Sequence, residues 1–123
     1  MTQPPPAVSI ATAPHYVWGA VCDGWRLADG ETLSVIEERM PPGTAEEWHV
    51  HDRARQFFYV LDGHATMRTP GGATEIPAGS GVEIAPGTAH QVANASSEAV
   101  RFLVISTPST RNDRRGVTSV SYD

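Results

Sequence analysis

Glycine and proline interrupt this chain at short intervals, and these interruptions restrict the folds that it can adopt. They include Pro41-Pro42-Gly43, Asp62-Gly63, Pro70-Gly71-Gly72, Pro77-Ala78-Gly79 and Pro86-Gly87. An α-helix does not continue through such sequences, and a central β-strand does not tolerate proline. The segments that remain between the interruptions are therefore too short for long helices.

Those segments have the composition of β-strands. They are rich in β-branched and aromatic residues, and none has a convincing apolar period of 3.6 residues. Many short strands separated by turns indicate an all-β sandwich or barrel. The pattern predicts strands over residues 32–40, 56–61, 65–69, 73–76, 82–85, 89–94 and 99–107, an aromatic strand from His15, a turn at Cys22-Asp23-Gly24 and a weak last strand over 117–121.

Length and proline content set the expected domain organisation. A chain of 123 residues has room for one hydrophobic core. Residues 1–14 include Pro4, Pro5, Pro6 and Pro14, so we expect a flexible N-terminal tail there. Residues 15–123 are expected to form a single β-barrel domain.

Charge and terminal sequence exclude several classes of partner. The net charge of −5 argues against nucleic acid, because modules that bind nucleic acid usually carry a basic surface. The basic cluster Arg111–Arg115 contains Asp113 and is interpreted as a solvated tail. The N-terminus lacks the features of a signal peptide, and no apolar run reaches membrane-spanning length. We therefore expect a cytoplasmic protein with no membrane partner, and the single Cys22 excludes an intramolecular disulfide.

Three histidines are the candidate functional residues. His49 and His51 are separated by one residue in an extended segment, so they share one face and can hold one metal ion. If this segment and the following strand form a hairpin, Gln56 returns beside them. His90 follows Pro86-Gly87 further along the chain. Three imidazoles and one oxygen are a common ligand set for Zn, Ni, Mn, Fe or Cu, and they leave positions open for water or substrate. His15 and His64 are interpreted as surface residues.

The spacing of these residues resembles that of a known family. Gly43, five residues, His49, one residue, His51, four residues, Gln56, six residues and Gly63 resemble the first signature of the cupin superfamily. Gly79, five residues, Ala85-Pro86-Gly87, two residues, His90, three residues and Asn94 resemble the second, with Ala85 in place of the usual proline. The resemblance implies an antiparallel jelly-roll β-barrel with one metal in its mouth, bound by His49, His51, Gln56 and His90.

Gln56 stands where the family usually has glutamate, and this difference bears on the reaction. A glutamine amide is neutral and binds a metal through its carbonyl oxygen. With three neutral imidazoles, a divalent ion keeps its full charge, which favours polarising a carbonyl over cycling iron through Fe(III). Some cupin cyclases and sugar-acid-converting enzymes resemble this ligand pattern. The expected function is a metal-dependent isomerase, cyclase or lyase acting on a small oxygenated molecule, with a dioxygenase less favoured.

Strand alternation suggests further roles. Glu47 precedes His49 by two residues, so it is a candidate general base, although a solvated position at the strand entry is the alternative. Phe58 and Val60 share the face of Gln56 and are expected to wall the pocket. Phe57, Tyr59 and Leu61 then face outward, and this exposed apolar face predicts a homodimer. A non-catalytic ligand-binding or sensor cupin is the alternative function.

Overall fold

The computed structural model describes residues 3–117, which form an all-β fold with no helix. The all-β prediction is confirmed. The strands of this described part are β1 His15–Trp18, β2 Cys22–Asp29, β3 Ser34–Met40, β4 His49–Val50, β5 Arg55–Asp62, β6 His64–Thr69, β7 Gly72–Pro77, β8 Gly81–Ile84, β9 Gln91–Ala93, β10 Val100–Thr107 and β11 Arg115–Gly116.

The strands form two facing layers in which all neighbours are antiparallel. The larger sheet has the order β1-β2-β3-β10-β5-β8, and the smaller has the order β7-β6-β9. Strand β4 pairs with β11, and single bridges from Ala45 to Ala93 and from His49 to His90 connect this pair to β9. The smaller layer therefore continues through β9 and β4 to β11.

The hydrophobic core lies between the two layers. On β5, Gln56, Phe58 and Val60 are buried, while Phe57 and Leu61 remain 38% exposed. This alternation confirms the predicted inward and outward faces of β5. The core combines larger-sheet residues such as Phe58 and Phe102 with smaller-sheet residues such as Met67. Burying large apolar side chains on both inner faces holds the layers together.

One local prediction was wrong. The segment Cys22–Gly24 begins strand β2, and the chain turns just before it, at Gly19 and Ala20, which both have positive φ. Val50, which lies between His49 and His51 in sequence, is 3% exposed. Residues 118–121 of the predicted last strand lie outside the described range.

The residues before β1 form no strand. A turn closes at Ser9, whose carbonyl accepts hydrogen bonds from the amides of Thr12 and Ala13. The Pro14 carbonyl accepts the Arg26 amide at 3.0 Å, so the end of this segment runs against β2. Among residues 3–117, no helix is long and apolar enough to cross a membrane.

Candidate metal centre

His49 and His90 are direct neighbours across two antiparallel segments. The His49 amide donates to the His90 carbonyl at 3.1 Å, and the His90 amide donates to the His49 carbonyl at 3.0 Å. Such a doubly hydrogen-bonded pair places both side chains on the same face of the layer. Their ring centroids are 4.4 Å apart.

His51 joins this pair from the residue just after β4. Its ring centroid lies 4.8 Å from that of His49 and 5.7 Å from that of His90. One ligand atom from each of the three histidines lies within 4.8 Å of the other two. The structure therefore brings together the three histidines that the sequence singles out, in an arrangement that can hold a metal ion.

Backbone carbonyls fix the tautomer of each imidazole. The Nδ1 of His49 donates to the Glu47 carbonyl at 2.8 Å, and that of His90 donates to the Thr88 carbonyl at 2.9 Å. The Nδ1 of His51 donates to the Asp113 carbonyl. A carbonyl oxygen only accepts, so each Nδ1 carries the proton and each Nε2 keeps a free lone pair. This is the tautomer that a metal ligand needs.

Burial keeps the imidazoles neutral. Desolvation lowers the pKa of His49 to about 3 and that of His90 to about 4, and it also lowers the pKa of His51. The Nε2 of His90 is buried and has no hydrogen-bond partner among the described residues. A buried lone pair without a donor is costly, so this atom is suited to a metal or a ligand hydrogen.

Gln56 faces the histidines from the opposite sheet. The predicted hairpin was wrong, because β4 pairs with β11 while β5 pairs with β10 and β8. The side-chain amide nitrogen donates to the Ser106 hydroxyl at 3.1 Å. That bond orients the amide and leaves its carbonyl oxygen, Oε1, buried without a partner among the described residues.

A cavity of about 180 Å³ joins these groups. We call it the histidine cavity, and its lining includes His49, His51, Gln56, Phe58 and Ser106. Phe58 lines it as predicted, but Val60, which was also expected to wall the pocket, is buried in the hydrophobic core and is not part of the lining. His90 is 1% exposed, and its ring centroid lies 5.8 Å from that of Phe58.

Two carboxyl groups line the histidine cavity, those of Glu38 and Glu46. Glu47 is not part of this lining. Residues 46–48 form no regular strand, so the alternation that pointed to Glu47 does not hold there. The Glu47 side chain is exposed, and its Oε1 lies beside Gly116. Burial raises the pKa of Glu46 to about 8, and burial followed by repulsion from Glu46 raises that of Glu38 well above its ordinary value.

Glu46 contacts His49 without forming an ion pair. Its Oε1 lies 3.9 Å from the His49 Nδ1, but that nitrogen already donates to a carbonyl and belongs to a neutral ring. The same oxygen accepts the Val92 amide at 3.0 Å. This backbone bond fixes the Glu46 carboxyl group beside the cavity.

The C-terminal segment supports the site, which the sequence interpretation missed. Asp113 was assigned to a solvated tail, but it is 6% exposed. Its carboxylate accepts the amides of Asp52, Arg53 and Ala54, and its carbonyl holds His51. These contacts span about sixty residues of sequence, so no local pattern reports them. Arg114, from the same segment, lines the histidine cavity.

The remaining two histidines lie away from this centre. His15 pairs with Asp23 at 2.8 Å, and His64 pairs with Glu75 at 2.6 Å. The two side chains are 44% and 43% exposed, so solvent screens these pairs and they contribute little to stability.

A family comparison now decides which fold this is. A family model described as "Cupin domain" matches residues 36–106, which is more than half of the chain. The chain belongs to the cupin family. The jelly-roll fold implied by the two sequence signatures is thereby confirmed, and the matched range contains His49, His51, Gln56 and His90.

Solved structures show the same fold over most of this cupin. The polyketide cyclase RemF from Streptomyces resistomycificus superposes with a TM-score of 0.78 at 19% identity, covering 99% of this chain and 91% of the cyclase. A sugar phosphate isomerase from Silicibacter pomeroyi gives a TM-score of 0.75 at 19% identity, covering 85% and 76%. KdgF from Halomonas sp. gives 0.74 at 15% identity, covering 82% and 91%. No curated protein matches the sequence significantly.

The contacts of Asp113 lead to a stability and metal-binding prediction. Asp113→Ala leaves the amides of Asp52, Arg53 and the buried Ala54 without their acceptor, so we expect it to lower the free energy of unfolding by about 2 kcal/mol. It should also weaken zinc binding about tenfold, because the carboxylate no longer anchors the segment whose backbone carbonyl accepts the His51 Nδ1–H. Urea denaturation and zinc titration measure both effects.

Asp52→Ala is the matched control for Asp113→Ala. It removes a carboxylate that forms only an exposed ion pair with Arg115. We expect a change below about 1 kcal/mol and unchanged zinc affinity. Equal effects of the two variants would contradict the role assigned to Asp113.

The raised pKa of Glu46 predicts a pH-dependent stability. In the metal-free protein its contribution is complete below the ordinary pKa near 4.5, and it is lost as the pH rises towards about 8, because the unfolded chain ionises first. Glu46→Gln removes the titration and keeps an oxygen for the Val92 amide. Between pH 4.5 and 8, the wild-type chain should lose a few kcal/mol relative to this variant, about 1.4 kcal/mol per pKa unit.

Glu47→Gln serves as the control in the same chelator-containing buffers. Its side chain is exposed, so the stability difference from the wild type should vary by less than about 0.5 kcal/mol over this range. Denaturant midpoints that show the same pH trend for both variants would contradict the raised pKa of Glu46.

Proposed function

We propose that this cupin is a metal-dependent enzyme that acts on a small oxygenated molecule by Lewis-acid chemistry. The observation that carries the proposal is the set of three neutral imidazoles whose protonated Nδ1 atoms face carbonyls and whose Nε2 atoms are left for a ligand. No described residue donates a hydrogen bond to these three Nε2 atoms. A divalent transition metal such as Zn, Ni, Mn, Fe or Cu fits such a donor set.

We assign Gln56 as the fourth metal ligand. Its Oε1 is buried, lacks a partner among the described residues, and belongs to a side chain that lines the histidine cavity. An amide oxygen left in this state is costly unless a metal or a ligand hydrogen approaches it. Together with His49, His51 and His90, it forms the proposed ligand set.

The charge of this ligand set favours an isomerase, cyclase or lyase. All four donors are neutral, so the bound ion would polarise a substrate carbonyl or stabilise an enolate with its full charge. The absence of a carboxylate ligand makes a dioxygenase less favoured. The names of RemF as a polyketide cyclase and of the Silicibacter pomeroyi protein as a sugar phosphate isomerase agree with this direction.

The proposal assigns proton transfer to Glu46. This carboxyl group lines the histidine cavity and has a pKa of about 8, so both protonation states are accessible near neutral pH. Glu47 is the alternative, with its side chain outside that cavity. Comparing turnover by Glu46→Gln and Glu47→Gln distinguishes the two groups.

The exposed apolar face of β5 supports a homodimer as part of the proposal. Phe57 and Leu61 are each 38% exposed on this face. A face of this kind is usually covered by another protein surface. Sedimentation equilibrium of the full chain should give twice the chain mass, and Phe57→Ser should shift it towards the monomer, whereas a monomeric wild type would reject the dimer.

Metal content and turnover test the function directly. The purified chain should contain about one transition-metal ion per chain by elemental analysis, and His90→Gln should lose it. Turnover of small hydroxy and keto compounds, followed by NMR, should stop with chelator and return with metal. If the chain binds metal and a ligand but turns over no compound, the enzyme proposal is rejected and a ligand-binding or sensor function takes its place. Absence of stoichiometric metal would reject both.

Gln56→Glu tests the charge argument. The added negative charge should raise the affinity for zinc about tenfold, or about 1.4 kcal/mol, and should lower turnover because the metal becomes a weaker Lewis acid. Ser106 can donate its hydroxyl hydrogen to the new carboxylate, so the fold should persist. Gln3→Glu makes the same charge change at an exposed residue and should alter neither quantity. Equal affinity and turnover in the wild type and Gln56→Glu would contradict the argument.

A further inference from the structure

A second cavity adjoins the histidine cavity. Its volume is about 330 Å³, and it shares Arg26, Ile36 and Thr110 with the histidine cavity. We call it the arginine cavity. The two cavities therefore lie side by side at these three residues. Its polar lining includes Arg26, Ser34, Ser109, Thr110 and the pair of Asp29 with Arg111.

Stacking holds the Arg26 guanidinium where the two cavities meet. The guanidinium carbon lies 4.6 Å from the centre of the Tyr16 ring, which is a cation–π contact. The ring in turn lies against strand β2 at Gly24, where an added Cβ would be 2.3 Å from the ring. Gly24 is therefore needed for Tyr16 to lie flat and for Arg26 to rest on it.

The guanidinium of Arg26 has no carboxylate partner among residues 3–117. Its side chain contacts the ring of Tyr16, and it forms no ion pair with a described residue. The one carboxylate in the arginine cavity, Asp29, is already bound by Arg111 at 2.9 Å. The hydroxyl groups of Ser34, Ser109 and Thr110 add further hydrogen-bond donors. The cavity therefore offers an unpaired planar cation beside neutral donors.

We propose that the substrate carries an anionic group, a carboxylate or a phosphate, which binds Arg26 in the arginine cavity. This inference rests on the proposed function, because the oxygen that reacts would lie in the adjoining histidine cavity. A guanidinium presents paired N–H donors that match the oxygens of either anion. The substrate class is thus narrowed from oxygenated molecules to oxygenated acids or phosphate esters.

Titration with simple anions tests the site. Inorganic phosphate and malonate are added separately to the full chain labelled with nitrogen-15, and the Nε–H resonance of Arg26 is followed by NMR. We expect saturable binding of at least one anion. Arg26→Gln should weaken binding about tenfold or more, and Arg26→Lys should restore part of it, because the charge returns without the planar donors.

Arg55→Gln is the matched control. It removes the same charge from an exposed arginine that pairs with Glu83 outside both cavities. We expect its anion affinity to stay within about twofold of the wild type. Preference for phosphate would indicate a phosphate ester as the substrate, and preference for malonate would indicate a carboxylate.

The variant His90→Gln tests anion binding independently of metal binding. That variant should lose metal and still bind the anion through Arg26. Anion binding by a wild-type chain that is purified without stoichiometric metal would sustain the arginine site while rejecting the proposed function. No saturable binding of either anion, or equal binding by the wild type and Arg26→Gln, would overturn the inference.

Discussion

The reciprocal backbone hydrogen bonds between His49 and His90 are the contact on which the rest of this site depends. They join β4 to the end of β9, and they extend the smaller layer towards β11. They also set two imidazoles side by side before any side-chain interaction is considered. Because the main chain fixes this spacing, the geometry of the site is part of the fold and does not rely on flexible side chains.

Electrostatics then gives each wall of the cavity a separate role. The smaller layer supplies imidazoles that burial keeps neutral, and the larger sheet supplies the amide of Gln56. The neighbouring carboxyl groups of Glu38 and Glu46 have raised pKa values, so the site carries little negative charge near neutral pH. Arg26 and Arg114 lie at the edge of the same space. The overall effect is a polar cavity with a cationic border in a chain whose net charge is −5.

The sequence predicted the parts of this arrangement that depend on local spacing. Alternation along β5 correctly placed Gln56 and Phe58 inward, and the Gly and Pro interruptions located most strands. Alternation does not apply where the backbone is irregular, as at residues 46–48, where Glu46 and not Glu47 lines the histidine cavity. The predictions failed where contacts are long-range: β5 crosses to the opposite sheet instead of pairing with β4, and Asp113 returns to His51. Period and spacing carry no information about such pairings.

The position of Asp113 has a consequence for how the site is assembled during synthesis. All four proposed ligands leave the ribosome before the residue that fixes the tautomer and orientation of His51. A nascent chain that ends near residue 110 has its donors but lacks the segment that closes over the loop at residues 52–54. The imidazole of His51 can therefore reach its final position only after residue 113 has been synthesised.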